Sequence, residues 1–99
     1  MTDKRVLLML NQPPTKCPLE RQFRMLEDVR DKGALLIQDA VFFTVSQEGR
    51  DLLDRGFRVY ALRQSLEARG ILDRVADGVE LVDYNRVVDL IMTDYDVVV

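Results

Sequence analysis

Histidine is missing from this chain of 99 residues, and cysteine occurs once, as Cys17. Histidine is the commonest general base near neutral pH and the commonest metal ligand, so neither Ser/His/Asp nor Cys/His catalysis can be built within the chain. One cysteine excludes an internal disulfide. The glycine-rich signatures that bind nucleotide phosphates are also absent. We therefore expect no cofactor and no metal, and any chemistry must rest on Cys17, on carboxylates or on a partner subunit.

Long apolar runs and a basic charge balance are missing as well. The first apolar run, residues 6–10, is too short for a signal peptide or a membrane span. The formal net charge of −3 gives no overall electrostatic footprint for nucleic acid. We expect one cytoplasmic domain over residues 1–99, with no membrane association and no direct contact with nucleic acid.

Short apolar runs alternate with helical patterns along the chain. Residues 34–37 are four consecutive apolar residues after a glycine, which is typical of a strand buried on both faces. The predicted strands are residues 6–10, 34–38, 57–62, 79–82 and 96–99. The predicted helices begin near residue 18, cover residues 40–53 and 63–69, and run from about residue 84 to residues 92–94. This alternation predicts an α/β domain with three layers, α/β/α, around a five-stranded, mainly parallel sheet.

Cys17 lies in the loop after the first strand, beside Lys16 and just before the predicted first helix. A helix N-terminus and a neighbouring ammonium group both favour the thiolate, which makes Cys17 a candidate nucleophile or sulfur carrier. The alternative is a half-buried thiol without a chemical role, because free cysteine is among the most buried residue types.

Two aspartates follow predicted strands. Asp39 would lie at the carboxyl edge of the sheet, where open α/β folds place their sites, as a general base or a polar contact. The alternative, which a single carboxylate without a partner favours, is an N-cap of the second helix. Asp83, before the fourth helix, has the same two interpretations and the same preference.

The remaining candidate residues have an interface or a surface interpretation. Phe42 and Phe43 begin the predicted second helix, and Phe43 falls beside its apolar stripe, which indicates either a wide buried face or contact with another subunit. Residues 97–99 form either an edge strand or a subunit contact. Three arginines, Arg63, Arg69 and Arg74, form either an anion site or, as their interleaved acids favour, a solvated and salt-bridged surface.

Several segments together resemble the TusB/DsrH family of sulfur-relay proteins, which has the DsrE/F/H-like fold. The resemblance covers almost the whole chain and rests on the order and spacing of the segments rather than on one motif. These segments are residues 10–14 (LNQPP), 35–41 (LLIQDAV), 59–62 (VYAL), 65–71 (SLEARGI), 81–84 (LVDY) and 88–90 (VDL).

The resemblance implies a small α/β/α domain that acts as a non-catalytic or sulfur-accepting subunit of a cytoplasmic persulfide relay. It implies partners that are DsrE- and DsrF-like (TusD- and TusC-like), or self-association. The sulfur would reach the tRNA wobble uridine or dissimilatory sulfur oxidation, with Cys17 as the candidate persulfide carrier. We expect Asp39, Phe42, Phe43 and Arg69 at binding or interface surfaces.

A second hypothesis assigns the chain to a different class. It is a homo-oligomeric module that binds a small ligand or has a regulatory role, without sulfur transfer. Its cleft would be formed by Asp39, Phe43 and the loop after the third strand. This hypothesis rests on the acid at the carboxyl edge of the sheet and on the aromatic residue beside the stripe.

Overall fold

Five short strands form one fully parallel sheet in the order β4-β3-β2-β1-β5. A computed structural model describes residues 4–99, so residues 1–3 of the predicted domain lie outside the described part. The strands are β1 (Val6–Leu10), β2 (Lys32–Leu36), β3 (Arg58–Leu62), β4 (Val79–Val82) and β5 (Val97–Val98).

Helical segments connect successive strands. The α-helices are α1 (Glu20–Leu26), α2 (Gln47–Asp54), α3 (Arg63–Ala68) and α4 (Tyr84–Asp89). The last of these continues directly into a π-helical turn, Leu90–Asp94. Three further segments are 3₁₀ helices, namely Pro14–Lys16, Gln38–Val45 and Leu72–Arg74.

The sheet separates two hydrophobic cores of unequal size. Because side chains alternate along a strand, Leu8 of β1 belongs to the first core and its neighbour Leu7 to the second. The first core is covered by α1, the long 3₁₀ helix, α2 and α3. The second core is covered by α4 and its π-helical turn. The chain steps in one direction from β1 to β4 and then returns across the sheet to β5, which places the last helix on the opposite face.

The predicted fold class is confirmed. The bounds of β1 and β4 are those predicted, and all strand pairs are parallel. Left-handed glycines end two helices where the sequence predicted it, with φ of 88° at Gly56 and 68° at Gly70. Strand β2 begins two residues earlier than predicted, because Lys32 already pairs with Val6.

The predicted continuous helix over residues 40–53 is wrong. The chain forms a 3₁₀ helix, Gln38–Val45, and after the extended residue Ser46 it starts α2. In a 3₁₀ helix side chains repeat every three residues, which aligns Ala40 with Phe43 in one column and Val41 with Thr44 in another. All of these side chains are buried. The repeat of 3.6 residues that an α-helix would have therefore leaves Phe43 beside the apolar stripe, although Phe43 belongs to the core.

The first helix begins later than predicted. Helix α1 starts at Glu20 rather than near residue 18, and Leu19 precedes it with non-helical backbone angles. The side chain of Leu19 is buried in the first core. Anchoring of this residue in the core sets the start of the helix, and Glu20 lies in the first turn as predicted.

Candidate functional site

The carboxyl edge of the sheet collects the segments that follow β1, β2, β3 and β4. The chain moves to one side of β1 for β2, β3 and β4, and to the other side for β5. Open α/β sheets bind their ligands outside this carboxyl edge. The segment that follows β1 at this edge carries Cys17.

The backbone around Cys17 is held by a short turn. The amide of Lys16 donates to the carbonyl of Pro13 at 2.9 Å, and the amide of Cys17 donates to the carbonyl of Pro14 at 3.5 Å. Cys17 ends this 3₁₀ turn, and its free thiol is half-buried. Prolines shape the turn because their ring fixes φ and because they have no backbone N–H to donate to a preceding turn of helix.

A cavity of about 280 Å³ opens beside the Cys17 thiol. Its apolar wall includes Leu19 and Phe23, and its acidic wall is formed by carboxylates from α1 and α2, which are Glu20, Glu48 and Asp51. Lys16, which the sequence analysis placed beside the thiol, does not line this cavity. The cavity beside Cys17 is therefore lined by carboxylates, two of them from α2, and this lining favours a partner group with positive charge.

Asp39 forms an ion pair instead of a helix cap. Its Oδ1 accepts a hydrogen bond from Nε of Arg69 at 2.9 Å and lies 2.9 Å from Nη2 of the same guanidinium group. The residue before the 3₁₀ helix is Ile37, and no side chain caps this helix. The preferred N-cap interpretation of Asp39 is therefore wrong, and the alternative of a polar contact at the carboxyl edge describes the structure. The pair joins the long 3₁₀ helix to the end of α3.

Gln38 and Ser65 are part of this edge and were not singled out from the sequence. Gln38 is the non-glycine residue with a positive φ, 53°, in the described chain. Its amide donates to Oγ of Ser65 at 3.0 Å, and the carbonyl of Ser65 accepts from Nη1 of Arg69 at 3.2 Å. No local pattern indicates this backbone, because glutamine has no preference for the left-handed region.

The preferred predictions are confirmed for Asp83 and for two of the three arginines. The side chain of Asp83 caps α4 by accepting from the amide of Arg86 at 2.9 Å. Nε of Arg63 donates to Glu67 at 3.0 Å across an exposed pair. Arg63 and Arg69 are both in ion pairs, so these two arginines form the salt-bridged surface that the interleaved acids favoured. None of the ion pairs described for residues 4–99 includes Arg74.

Phe42, Phe43 and the chain end do not line the cavity beside Cys17. Phe43 is fully buried, which corresponds to the buried-face alternative and leaves no surface of this side chain for a partner. Phe42 is half-buried against the first core. The last strand, β5, is an edge strand beside β1, and Val98 and Val99 are partly exposed.

Residues 4–99 hold no cluster typical of a metal site and no helix typical of a membrane span. In this range no group of three His, Cys, Asp or Glu residues is placed to hold a metal ion. None of the helices in the same range has the length and apolar character that crossing a bilayer requires.

Comparison with known proteins identifies the relatives of this chain. Residues 13–97 match the family described as DsrH like protein. Protein TusB of Buchnera aphidicola subsp. Baizongia pistaciae is 34% identical over 87 residues, which are 86% of this chain and 90% of that protein. Protein TusB of Photorhabdus laumondii is 33% identical over 89 residues, with the same shares covered.

A solved structure shows the same fold. The crystal structure of the ychN protein from E. coli superposes with a TM-score of 0.76 over 97% of each chain, at 18% identity. At this identity the likeness concerns the fold. The family match includes Cys17, its cavity and the polar edge, and it confirms the resemblance drawn from the sequence segments. The chain belongs to the DsrH family.

Proposed function

We propose that this chain works as a subunit of a cytoplasmic sulfur-relay complex and carries sulfur as a persulfide on Cys17. The supporting observation is the place of the thiol, which is half-buried beside a cavity between the segment that follows β1 and helix α2. The proposed partners are DsrE- and DsrF-like subunits. The TusB relatives favour tRNA thiolation as the destination of the sulfur, over dissimilatory sulfur oxidation.

The proposed transfer needs thiol chemistry alone. The Cys17 thiol loses its proton to solvent, and the thiolate attacks the outer sulfur of a donor persulfide. A new S–S bond forms on Cys17 while the S–S bond of the donor breaks, and the donor leaves as a thiolate. An acceptor thiolate then attacks the outer sulfur of the Cys17 persulfide and releases the Cys17 thiolate. No external oxidant or reductant is consumed, because each step exchanges one S–S bond for another.

The walls of the cavity suit this role. The apolar side chains Leu19 and Phe23 shield one side of the thiol from water, which protects a persulfide from hydrolysis and side reactions. The carboxylates Glu20, Glu48 and Asp51 favour a donor or acceptor whose cysteine is surrounded by basic residues. A reducing compartment keeps the single thiol available, which is the physical basis for proposing the cytoplasm.

The persulfide-carrier role is tested by mass spectrometry. The protein is incubated with a low-molecular-weight persulfide donor, and the expected result is one added sulfur atom on the peptide that contains Cys17, removable by a reducing thiol. Cys17→Ser is the matched control and should gain none. An unmodified Cys17 under conditions that load a known relay cysteine would overturn the carrier role, while the subunit role would stand.

The subunit role is tested by affinity purification from the native host. Tagged chain should recover DsrE- and DsrF-like polypeptides, identified by their peptides, in a fixed ratio to the bait. Recovery of the tagged chain with its own copies alone would contradict the heteromeric complex.

The hypothesis of a small-ligand module has lost its supporting cleft, because Phe43 is buried and Asp39 is paired with Arg69.

A further inference from the structure

The outer surface of α4 is apolar although it faces solvent. Tyr84, Val88 and Met92 follow one another at intervals of four residues along α4 and its π-helical turn. Their exposures are 61%, 57% and 76%. Residues four apart lie on one side of a helix, so these side chains form a continuous strip, called here the outer stripe.

The inner side of the same helix is apolar as well. Leu90 is fully buried in the second core, and Val87 and Ile91 pack against that core while remaining half-exposed. The apolar surface of this helix therefore extends beyond its buried side, and a continuous exposed apolar patch is typical of a protein interaction site. Within residues 4–99, α4 and its π-helical turn are the helical layer on this side of the sheet, which indicates that a further layer from another chain covers them.

Charged residues beside the outer stripe restrict the charge of the chain that covers it. Asp89 is exposed next to Val88, and none of the ion pairs described for residues 4–99 involves it. Arg86 on the same helix is already paired with Glu80 and Asp94. The free charge at the centre of the stripe is therefore negative.

A second copy of this chain is a poor occupant of the stripe. In a two-fold arrangement the same patch lies on both subunits. If the axis passes near Val88, the Asp89 carboxylates of both copies approach each other, and like charges at an interface are unfavourable. A different chain with lysine or arginine opposite Asp89 would instead neutralise it. Exposed tyrosine and methionine side chains suit such contacts, because they bury large areas and adapt their shape.

We propose that the outer stripe of Tyr84, Val88 and Met92 docks a non-identical protein subunit, which presents an apolar surface with a basic residue facing Asp89. This inference rests on the proposed membership in a relay complex of several subunits, and it assigns the face of the chain that assembles. The carboxyl edge that carries Cys17 remains a separate surface, available for transfer.

The test measures binding of the purified full chain to co-expressed DsrE- and DsrF-like subunits. Val88→Asp should weaken this binding by about tenfold or more, since a charge is placed at the centre of an apolar contact. Met25→Asp is the matched control, because Met25 is 62% exposed on α1, on the other face of the sheet. It should change the affinity by less than about twofold. Circular dichroism checks that both variants fold.

Charge reversal tests the nature of the partner. Asp89→Lys should weaken binding more at low salt than at high salt, because salt screens the lost attraction. Hydrogen exchange of the wild-type complex should show new protection over residues 84–93 and none over α1. This measurement does not depend on any variant.

Each outcome separates the two proposals. Unchanged binding by Val88→Asp, or an absence of protection over residues 84–93, overturns the docking surface and leaves the relay subunit in place. If the wild-type chain binds neither companion, the multi-subunit function fails and the docking surface fails with it. A wild-type homodimer that Val88→Asp converts to a monomer overturns the assignment to a non-identical partner.

Discussion

At the scale of single residues, Gln38 carries an unfavourable backbone conformation at the carboxyl edge. Its φ of 53° lies in the left-handed region, which costs residues with a β-carbon about 1–2 kcal/mol. The conformation persists because the amide of Gln38 bonds to Oγ of Ser65, which is itself buried. This turn directs the chain from β2 into the 3₁₀ helix and brings Asp39 to Arg69.

Replacing Gln38 tests the left-handed backbone. Gln38→Gly should raise the free energy of unfolding by about 0.5–1 kcal/mol, because relief of strain exceeds the added freedom of the unfolded chain. Gln38→Ala keeps a β-carbon and should leave stability within about 0.5 kcal/mol. Urea denaturation measures the free energy of unfolding of both variants. Equal values for Gln38→Gly and Gln38→Ala would contradict the strained conformation.

Gly33 in β2 is required by the side chain of a distant residue. A β-carbon at this position would lie 2.9 Å from Cζ of Tyr95 and still closer to its hydroxyl oxygen. Gly33→Ala should therefore destabilise the protein by about 1–3 kcal/mol through overpacking. Adding Tyr95→Phe removes one of the clashing atoms, so the double variant should lose less than the sum of the single losses. Additive losses in urea denaturation would show that the two residues do not collide.

At the scale of elements, the long 3₁₀ helix and α2 pack backbone against backbone. A β-carbon on Gly49 of α2 would collide with the carbonyl group of Phe43, whose carbon would lie at 2.8 Å. The same carbonyl accepts hydrogen bonds from the amide and Oγ of Ser46, at 3.2 and 3.1 Å. The break between the two helical segments is thus fixed by a glycine that lets them approach closely.

Gly49→Ala should reverse the usual effect of this substitution. In an ordinary helix, alanine is more favourable than glycine by about 1 kcal/mol. Here the contact is with backbone that cannot move aside, so we expect a loss of about 1–3 kcal/mol. Arg50→Ala, at the next and exposed position of the same helix, is the control and should change stability by less than about 0.5 kcal/mol. A gain in stability for Gly49→Ala would refute the close contact.

At the scale of the whole molecule, a buried tyrosine pair ties the last segment to the centre of the sheet. The hydroxyl groups of Tyr60 on β3 and Tyr95 before β5 lie 3.0 Å apart. Asp96 adds a hydrogen bond from the amide of Arg5 at 2.9 Å. These contacts hold the two-residue strand β5 beside β1, which a strand of this length could not achieve by its own ladder.

The tyrosine pair predicts a loss of stability in alkali. Burial raises the pKa of the Tyr95 hydroxyl above its ordinary value of 10.0, and the hydrogen bond with Tyr60 raises this pKa further. The unfolded chain releases this proton above about pH 10 while the folded chain keeps it, so the free energy of unfolding falls as pH rises through that range. In the Tyr95→Phe variant, the free energy of unfolding should fall less over the same pH range.

Urea denaturation at several values between about pH 8 and pH 11 measures this slope. Tyr84→Phe is the matched control, because Tyr84 is 61% exposed and should leave the slope unchanged. Identical slopes for the wild type and Tyr95→Phe would contradict the role of Tyr95.

The sequence by itself determined the order of most elements and some of their ends. Continuous apolar runs gave the bounds of β1 and β4, and glycines with left-handed backbone ended two helices at Gly56 and Gly70. Asp83 was predicted as a cap because a cap bonds within its own first turn. These features depend on contacts between residues a few positions apart, and a local sequence pattern indicates such contacts. Strict alternation of the elements then restricted the fold to a parallel sheet.

Tertiary structure decided the features that depend on residues far apart in the chain. Asp39 pairs with Arg69 because the long 3₁₀ helix and α3 meet at the sheet edge. The cavity beside Cys17 takes part of its acidic wall from α2, which the sequence around Cys17 does not indicate. Packing against the core selected a 3₁₀ repeat that buries Phe43. In each case the free energy comes from burial or pairing between separate elements, which a local sequence pattern does not specify.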